Sequence, residues 1–212
     1  MLLPVGAFEQ HGEHLPIATD ALLAEEVCLR AAAEATVDCL VAPTLWTGFS
    51  PHHVRFGATV SLSSGAFLRL VREVLTGLRE WVPRILIVNG HGGNRGPLVT
   101  IALEEGCPIA SYWELAAAEV PRLFPTDASI GHAGEAETSM MLSAFPALVG
   151  RPAAEFERPA DAELLVVDMG TSGVIGDAGA ATAQAGAAFL GAVVTALARR
   201  VDALFPAEET VR

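Results

Sequence analysis

Residues 84–94 read RILIVNGHGGN. Arg84–Val88 carries an unbroken aliphatic run between Pro83 and Asn89, the pattern of a strand buried on both faces. A glycine-rich turn follows at once, and a helix is expected from about Pro97 to Glu105. The same alternation recurs on either side. Upstream, Leu2–Val5 suits a strand. The segment Ala21–Ala35 then spaces Leu22, Leu23, Val27 and Ala31 as a helix does. Cys39–Ala42 suits a short buried strand stopped by Pro43, and a helix from Ser64 places Leu68, Val71, Leu75 and Leu78 on one face. Downstream, Cys107–Tyr112 suits a strand, Leu164–Val167 an edge strand, and about Ala180 to Leu204 a long final helix. Strands alternating with helices imply an α/β fold, a parallel sheet with helices on both faces. No linker or composition break divides residues 1–212, so a single domain is expected.

Chemistry gathers where these strands end. Residues 5–20, VGAFEQHGEHLPIATD, hold Glu9, His11, Glu13, His14 and Asp20, a mixture of imidazole and carboxylate that suits Zn²⁺, Mn²⁺ or Fe²⁺. Glu9 and His11 are two apart and share one side of an extended segment. Asp20 precedes a helix-like run, where a helix N-terminus would steady it. Each of these could equally face water from a surface loop. His91 in NGHGGN is either a metal ligand, with Gly92 and Gly93 making room for substrate, or part of a tight turn. The turn is neither a P-loop nor a GxGxxG signature, which removes the usual nucleotide readings. In HAGEAETS, Glu135 and Glu137 suit the first turns of a helix with or without a site, and His132 lies on the loop before them. His52 and His53 occupy the long irregular stretch Thr44–Ser64, and long ordered loops often carry function. Trp113 is core or the wall of a pocket. No GxSxG occurs, and Cys28, Cys39 and Cys107 sit in apolar surroundings without catalytic partners.

The 212 residues are 51% hydrophobic and 18% charged, with a net charge of −12, which argues against a nucleic-acid partner. Three widely spaced cysteines make no disulfide framework and suit a reducing cytoplasm. The opening residues do not have the form of a secretory signal. The longest apolar run, Ala185–Ala198, is too short to span a bilayer, so no membrane partner is expected. Its apolar residues on more than one face, with Gly186 and Gly191, suggest burial all round, in the core or between subunits.

The motifs EQHGEHLPIATD, SPHHVRFGATVSL, VNGHGGN, SYWE, HAGEAETSMML and SGVIGD, in this order, resemble the creatininase family of metal-dependent amidohydrolases. The resemblance runs from Leu3 to about Thr182. It implies a parallel α/β sheet, a two-metal site and a homo-oligomer, typically a hexamer. Motif by motif, it implies Glu9, Asp20 and His91 at one metal and His11 with Asp20 at the second, so that Asp20 bridges. His132 matches the histidine that handles protons on the leaving nitrogen, with Glu137 as a possible acceptor for its other ring nitrogen. Trp113 matches a tryptophan that lies over the substrate. The chain departs from creatininase proper at Gly92, Gly93 and Gly131, which stand where that enzyme has Tyr, Glu and Glu. The missing carboxylate at Gly93 leaves the second metal to be completed by Glu135 or by water. The implied activity is hydrolysis of an amide, cyclic amide or formamide C–N bond in a small molecule or short peptide, with a substrate other than creatinine. The alternatives are a peptidase of the mycofactocin-maturation type and a metal- or ligand-binding homologue without turnover.

Overall fold

Three short aliphatic runs pair as parallel strands in the order β1 (Leu2–Val5), β2 (Leu86–Asn89) and β3 (Ile109–Ser111), with Leu2 opposite Leu86 and Ile87 opposite Ile109. The structure is a computed structural model that describes residues 1–126, 130–152 and 170–206. The edge strand expected at Leu164–Val167 lies outside those residues. Side chains alternate across the sheet. Leu2, Leu86 and Val88 face one apolar cluster with helices α1 (Thr19–Glu34), α5 (Glu135–Ala144) and α6 (Ala183–Leu204). Leu3, Val5 and Ile87 face a second cluster with α2 (Ser64–Arg79) and α3 (Arg95–Glu105). Burial on both faces is why these strands carry no polar alternation.

The expected strand at Cys39–Ala42 takes a looser form. It runs along the outer side of β1 through isolated bridges, Leu2 to Val41 and Val5 to Leu45, and Leu40 is exposed. Proline is the reason. In a strand, a residue's N–H and C=O point to the same side, and the Pro4 carbonyl accepts from Leu45 N (3.0 Å), on this edge. Pro4 has no N–H to give there, and Pro43 interrupts the facing chain, so rungs are missing between the two bridges.

The final helix is shorter than expected. α6 starts at Ala183, and within the chain Phe189, Leu190, Val193, Val194 and Leu197 are buried while Ala187, Ala188 and Gly191 are exposed. Gly186 makes the close approach, since a Cβ there would lie 1.9 Å from the Ser139 carbonyl oxygen of α5. Cys28 and Cys107 are buried and Cys39 is half-buried, all as free thiols. Between the short α4 (Val120–Leu123) and β3, a 3₁₀ stretch, Tyr112–Glu119, carries Trp113. No helix among the described residues is long and apolar enough to cross a membrane.

The carboxyl ends of β1 and β2 end in glycine for a steric reason. A Cβ on Gly6 would lie 2.5 Å from Ala21 Cα, and one on Gly90 would lie 2.5 Å from the Asp20 carbonyl. Their bare backbones let the first turn of α1 rest on both strand ends. Asp20, expected just before that helix, sits inside its first turn, over the point where the two strands finish.

Candidate metal centre

The chain leaving β1 places Glu9 and His11 on one side of an extended segment, then turns at Gly12 (φ +65°). Of the acidic and imidazole groups in residues 5–20, three converge: Glu9, His11 and Asp20 are all buried. Glu13 is exposed. His14 is buried elsewhere, with Nε2 3.1 Å from the Ala133 carbonyl and 3.0 Å from Thr138 Oγ1, where it ties this loop to the HAGEAE segment. His91 arrives from the end of β2. Asn89 fixes it by accepting from His91 N (3.0 Å) and donating to the His91 carbonyl (2.8 Å). Asn94 donates to the Gly6 carbonyl (2.9 Å) and accepts from Phe49 N (2.8 Å), so both asparagines of NGHGGN are structural ties. His132 is held by the glycine-rich loop: its N donates to the Ile175 carbonyl (2.9 Å) and its carbonyl accepts from Ile175 N (2.7 Å).

Three histidines follow one rule. Each outer ring nitrogen meets a main-chain carbonyl: His11 Nδ1 the Glu9 carbonyl (3.1 Å), His91 Nε2 the Phe49 carbonyl (3.2 Å), His132 Nε2 the Gln10 carbonyl (2.9 Å). A carbonyl only accepts, so each of those nitrogens carries a proton, and the inner nitrogen is left to take either a second proton or a metal ion. The inner nitrogens in turn face carboxylates. His11 Nε2 lies 3.1 Å from Asp20 Oδ1 and 3.8 Å from Glu137 Oε2. His91 Nδ1 lies 3.1 Å from both Glu9 Oε1 and Asp20 Oδ2, and His132 Nδ1 lies 3.6 Å from Glu9 Oε1. The buried oxygens Glu9 Oε1 and Oε2 and Asp20 Oδ2 have no hydrogen-bond partner. Lone pairs facing lone pairs in a buried place cost several kcal/mol unless a proton or a metal ion lies between them. The donor atoms fall into three sets, Glu9–Asp20–His91, His11–Asp20–Glu137 and Glu9–His11–His132, each within 4.8 Å. Nitrogen and carboxylate donors at this spacing fit divalent zinc or manganese.

Protons compete for the same space. Burial opposes a charged His11, but the Asp20 carboxylate outweighs it and raises the pKa to about 10. Against burial, the same pairing with His11, helped by His91, keeps Asp20 well below the usual carboxylate range. His91 is likewise raised by Glu9 and Asp20 against the effect of burial. Burial pushes Glu137 up to about 7, only partly offset by His11. Burial, reinforced by His11 and His53, holds His132 well below the ordinary imidazole value, so it is neutral.

The other candidate residues divide by position. Glu137 joins the cluster and does not partner the outer nitrogen of His132, which the Gln10 carbonyl takes. Glu135 turns away, its Oε2 accepting from Thr126 N (2.9 Å) and Thr126 Oγ1 (2.5 Å). His52, His53, Gly92, Gly93 and Trp113 line a cleft of about 710 Å³ over the cluster. Phe49, Pro51, Ile130 and Ile175 line it as well. Around Gly92 a side chain would meet open space, but a Cβ on Gly93 would lie 2.3 Å from the Phe49 carbonyl and 2.5 Å from His91 Nε2. The backbone here leaves no room for a carboxylate at that position. Two residues escaped sequence reasoning. Ser50, whose hydroxyl lies 3.0 Å from His91 Nε2, has no signal in its surroundings. Gln10 had one, since a glutamine between two potential ligands is well placed to hydrogen-bond them.

The family model described as creatinine amidohydrolase matches residues 1–201. A mycofactocin precursor peptide peptidase of Mycolicibacterium smegmatis is 39% identical over 150 residues, covering 69% of this chain and 58% of that protein. A creatinine amidohydrolase of Pseudomonas putida is 32% identical over 172 residues, covering 70% of this chain and 65% of that protein. A crystal structure of creatininase superposes with a TM-score of 0.85 at 30% identity, covering 97% of this chain and 90% of the other. Similar solved creatininases include a Zn–Zn type (TM-score 0.84, 29% identity, covering 97% and 90%) and a manganese form (0.81, 31%, 97% and 91%). With a family match over nearly its whole length and the creatininase fold around a buried carboxylate–imidazole cluster, the chain belongs to the creatininase family, whose members are hydrolases acting on C–N bonds.

Proposed function

We propose that residues 1–212 act as one unit that hydrolyses an amide-type C–N bond. The observation that carries this is the set of inner imidazole nitrogens meeting buried carboxylate oxygens at 3.1 Å, beneath an apolar cleft. Divalent zinc or manganese bound there supplies Lewis-acid activation of a water molecule and of the scissile carbonyl. Glu9, Asp20 and His91 would hold one ion and His11, Asp20 and Glu137 the other. Asp20 would contribute to both, since Oδ1 lies toward His11 and Oδ2 toward His91. Glu137 thereby takes the place that Gly93 cannot fill. His132 is neutral, with Nδ1 toward the cluster and Nε2–H on the Gln10 carbonyl, so it can accept a proton and deliver it to the leaving nitrogen. Glu135 holds the loop before α5 through Thr126 and touches no reacting atom. Trp113, Phe49 and His52 bound the substrate, and the bare Gly92 and Gly93 keep the cleft floor open.

The substrate is a small molecule or short peptide other than creatinine. A peptide is the second reading, favoured by a cleft of about 710 Å³, far more space than a compact lactam fills. The test is metal analysis of the purified protein, then a panel of amides, lactams, formamides and short peptides with and without chelator. One or two divalent ions per chain and chelator-sensitive turnover are expected. Bound metal with no turnover across the panel leaves a binding protein without catalysis, and absence of metal overturns the reading. We also propose a homo-oligomer, a hexamer by family habit, in which the exposed small-residue face of α6 meets a neighbour; a mass near 22 kDa by light scattering overturns this. The free cysteines suit the cytoplasm, and the charge of −12 argues against a nucleic-acid partner.

A further inference from the structure

His53 breaks the rule that the other three buried histidines of the cleft obey. Its inner nitrogen, Nε2, also faces a carboxylate oxygen, Glu9 Oε1 at 3.3 Å. Its outer nitrogen, Nδ1, meets no carbonyl. It lies 3.0 Å from Nε2 of Gln10. The orientation of that carboxamide is fixed by two main-chain partners of unambiguous polarity. Gly12 N can only donate, and it does so to Gln10 Oε1 (2.9 Å). The Gly173 carbonyl can only accept, and it takes one proton of Gln10 Nε2 (2.8 Å). One N–H of the amide remains. His132 Nε2 lies 3.4 Å away but already spends its own proton on the Gln10 carbonyl, so that approach joins two donors. The remaining N–H therefore goes to His53 Nδ1.

We propose that Gln10 is a positioning residue that sets the tautomers of both histidines flanking Glu9. Its main-chain carbonyl holds His132 as the Nε2–H tautomer with the Nδ1 lone pair inward, and its side-chain amide holds His53 with the Nε2 proton inward. His53 then turns its Nε2–H toward Glu9 Oε1, 3.3 Å away, and is barred from acting as a metal ligand, although it lies as close to Glu9 as His132 does. A proton aimed at that oxygen helps to orient the Glu9 carboxylate. The packing protects this arrangement: Gln10 is buried, and a Cβ on Gly173 would lie 2.4 Å from its Nε2. The inference rests on the metal-centre reading above, but it is tested by a measurement that needs no turnover.

The chain has six histidines, few enough to assign. In zinc-loaded, ¹⁵N-histidine-labelled protein, long-range ¹H–¹⁵N spectra should show His53 with an unprotonated Nδ1 and a protonated Nε2. In Gln10→Glu the new carboxylate can only accept, so the proton of His53 should appear on Nδ1, while His132 stays Nε2–H because its partner is main chain. kcat should fall roughly 10- to 100-fold, the range seen when outer partners of site residues are lost, with KM little changed. His53→Ala should keep the wild-type zinc stoichiometry, whereas His91→Ala should not. A wild-type His53 protonated on Nδ1, or loss of zinc in His53→Ala, overturns the proposal even if the protein proves to be a metal-dependent hydrolase. Absence of zinc from the wild type would sink the metal-centre reading instead.

Discussion

A single carboxylate decides whether the cluster is one site or two. Asp20 presents Oδ1 to His11 and Oδ2 to His91, each at 3.1 Å, so its loss should empty both positions, while loss of His11 removes a donor from one. Asp20→Ala is therefore expected to abolish metal binding and His11→Ala to leave about half, measured as ions per chain by plasma mass spectrometry. Full occupancy in Asp20→Ala would refute the bridge. His132 is placed differently, because its Nδ1 is 3.6 Å from the nearest carboxylate oxygen. Its loss should spare the metal and cut kcat by about 10²–10⁴, the usual contribution of general acid catalysis, with a smaller effect on KM. His91→Ala should lose metal and activity together. If His132→Ala loses metal in the same way, it is a ligand and the proton must come from elsewhere.

At the scale of elements, the site depends on how closely helices approach one another and the strand ends. α5 carries Glu137 into the cluster and is itself seated against α6 at Gly186, where a Cβ would fall 1.9 Å from the Ser139 carbonyl. Gly186→Ala should therefore destabilise the fold by about 1–3 kcal/mol through overpacking, in spite of alanine's better helix propensity. Gly191, on the same helix, meets nothing within 4 Å inside the chain, and Gly191→Ala should stabilise the monomer fold by up to about 1 kcal/mol. Urea unfolding of the two variants distinguishes them, and equal midpoints would mean that the α5–α6 crossing is looser than the structure has it.

For the whole molecule, protons and metal ions are competing ligands of one buried cluster. The folded-state pKa of His11 is about 10 against an ordinary 6.5, so between those values the metal-free fold holds a proton that the unfolded chain does not. Its stabilising effect is complete below pH 6.5 and is lost as pH rises through 10, at about 1.4 kcal/mol per pH unit while the extra proton is held. His91 acts in the same direction. Glu137, raised to about 7, has ionised by the upper part of this range and adds little slope there. A bound divalent ion takes the place of these protons and removes the dependence. The Tm of chelated protein should thus fall from pH 7 to pH 9, and the gap to the metal-loaded form should widen. Parallel Tm curves would mean that metal does not occupy this cluster.

The sequence by itself determined the α/β alternation, the strand ends as the place of the chemistry, and Glu9, His11, Glu13, His14, Asp20 and His91 as the groups to watch, from which the family resemblance singled out the ligands. These are local matters: apolar runs bounded by proline, glycine and asparagine mark strands, and donors just past a strand end have few directions to point. Tertiary structure alone decided which neighbours join them. Glu135 and Glu137 are two residues apart on α5, so successive 100° turns put them on nearly opposite faces. Only the path of the chain through Ala133, in a left-handed conformation (φ +51°), settles that Glu137 faces the cluster and Glu135 faces Thr126. Likewise, nothing in residues 5–20 separates His14 from His11 until Ala133 and Thr138, more than a hundred residues on, claim its Nε2. The polarity of His53 depends on Gly12 and Gly173 holding one amide between them. The direction of a hydrogen bond among distant residues leaves no periodic mark on a sequence.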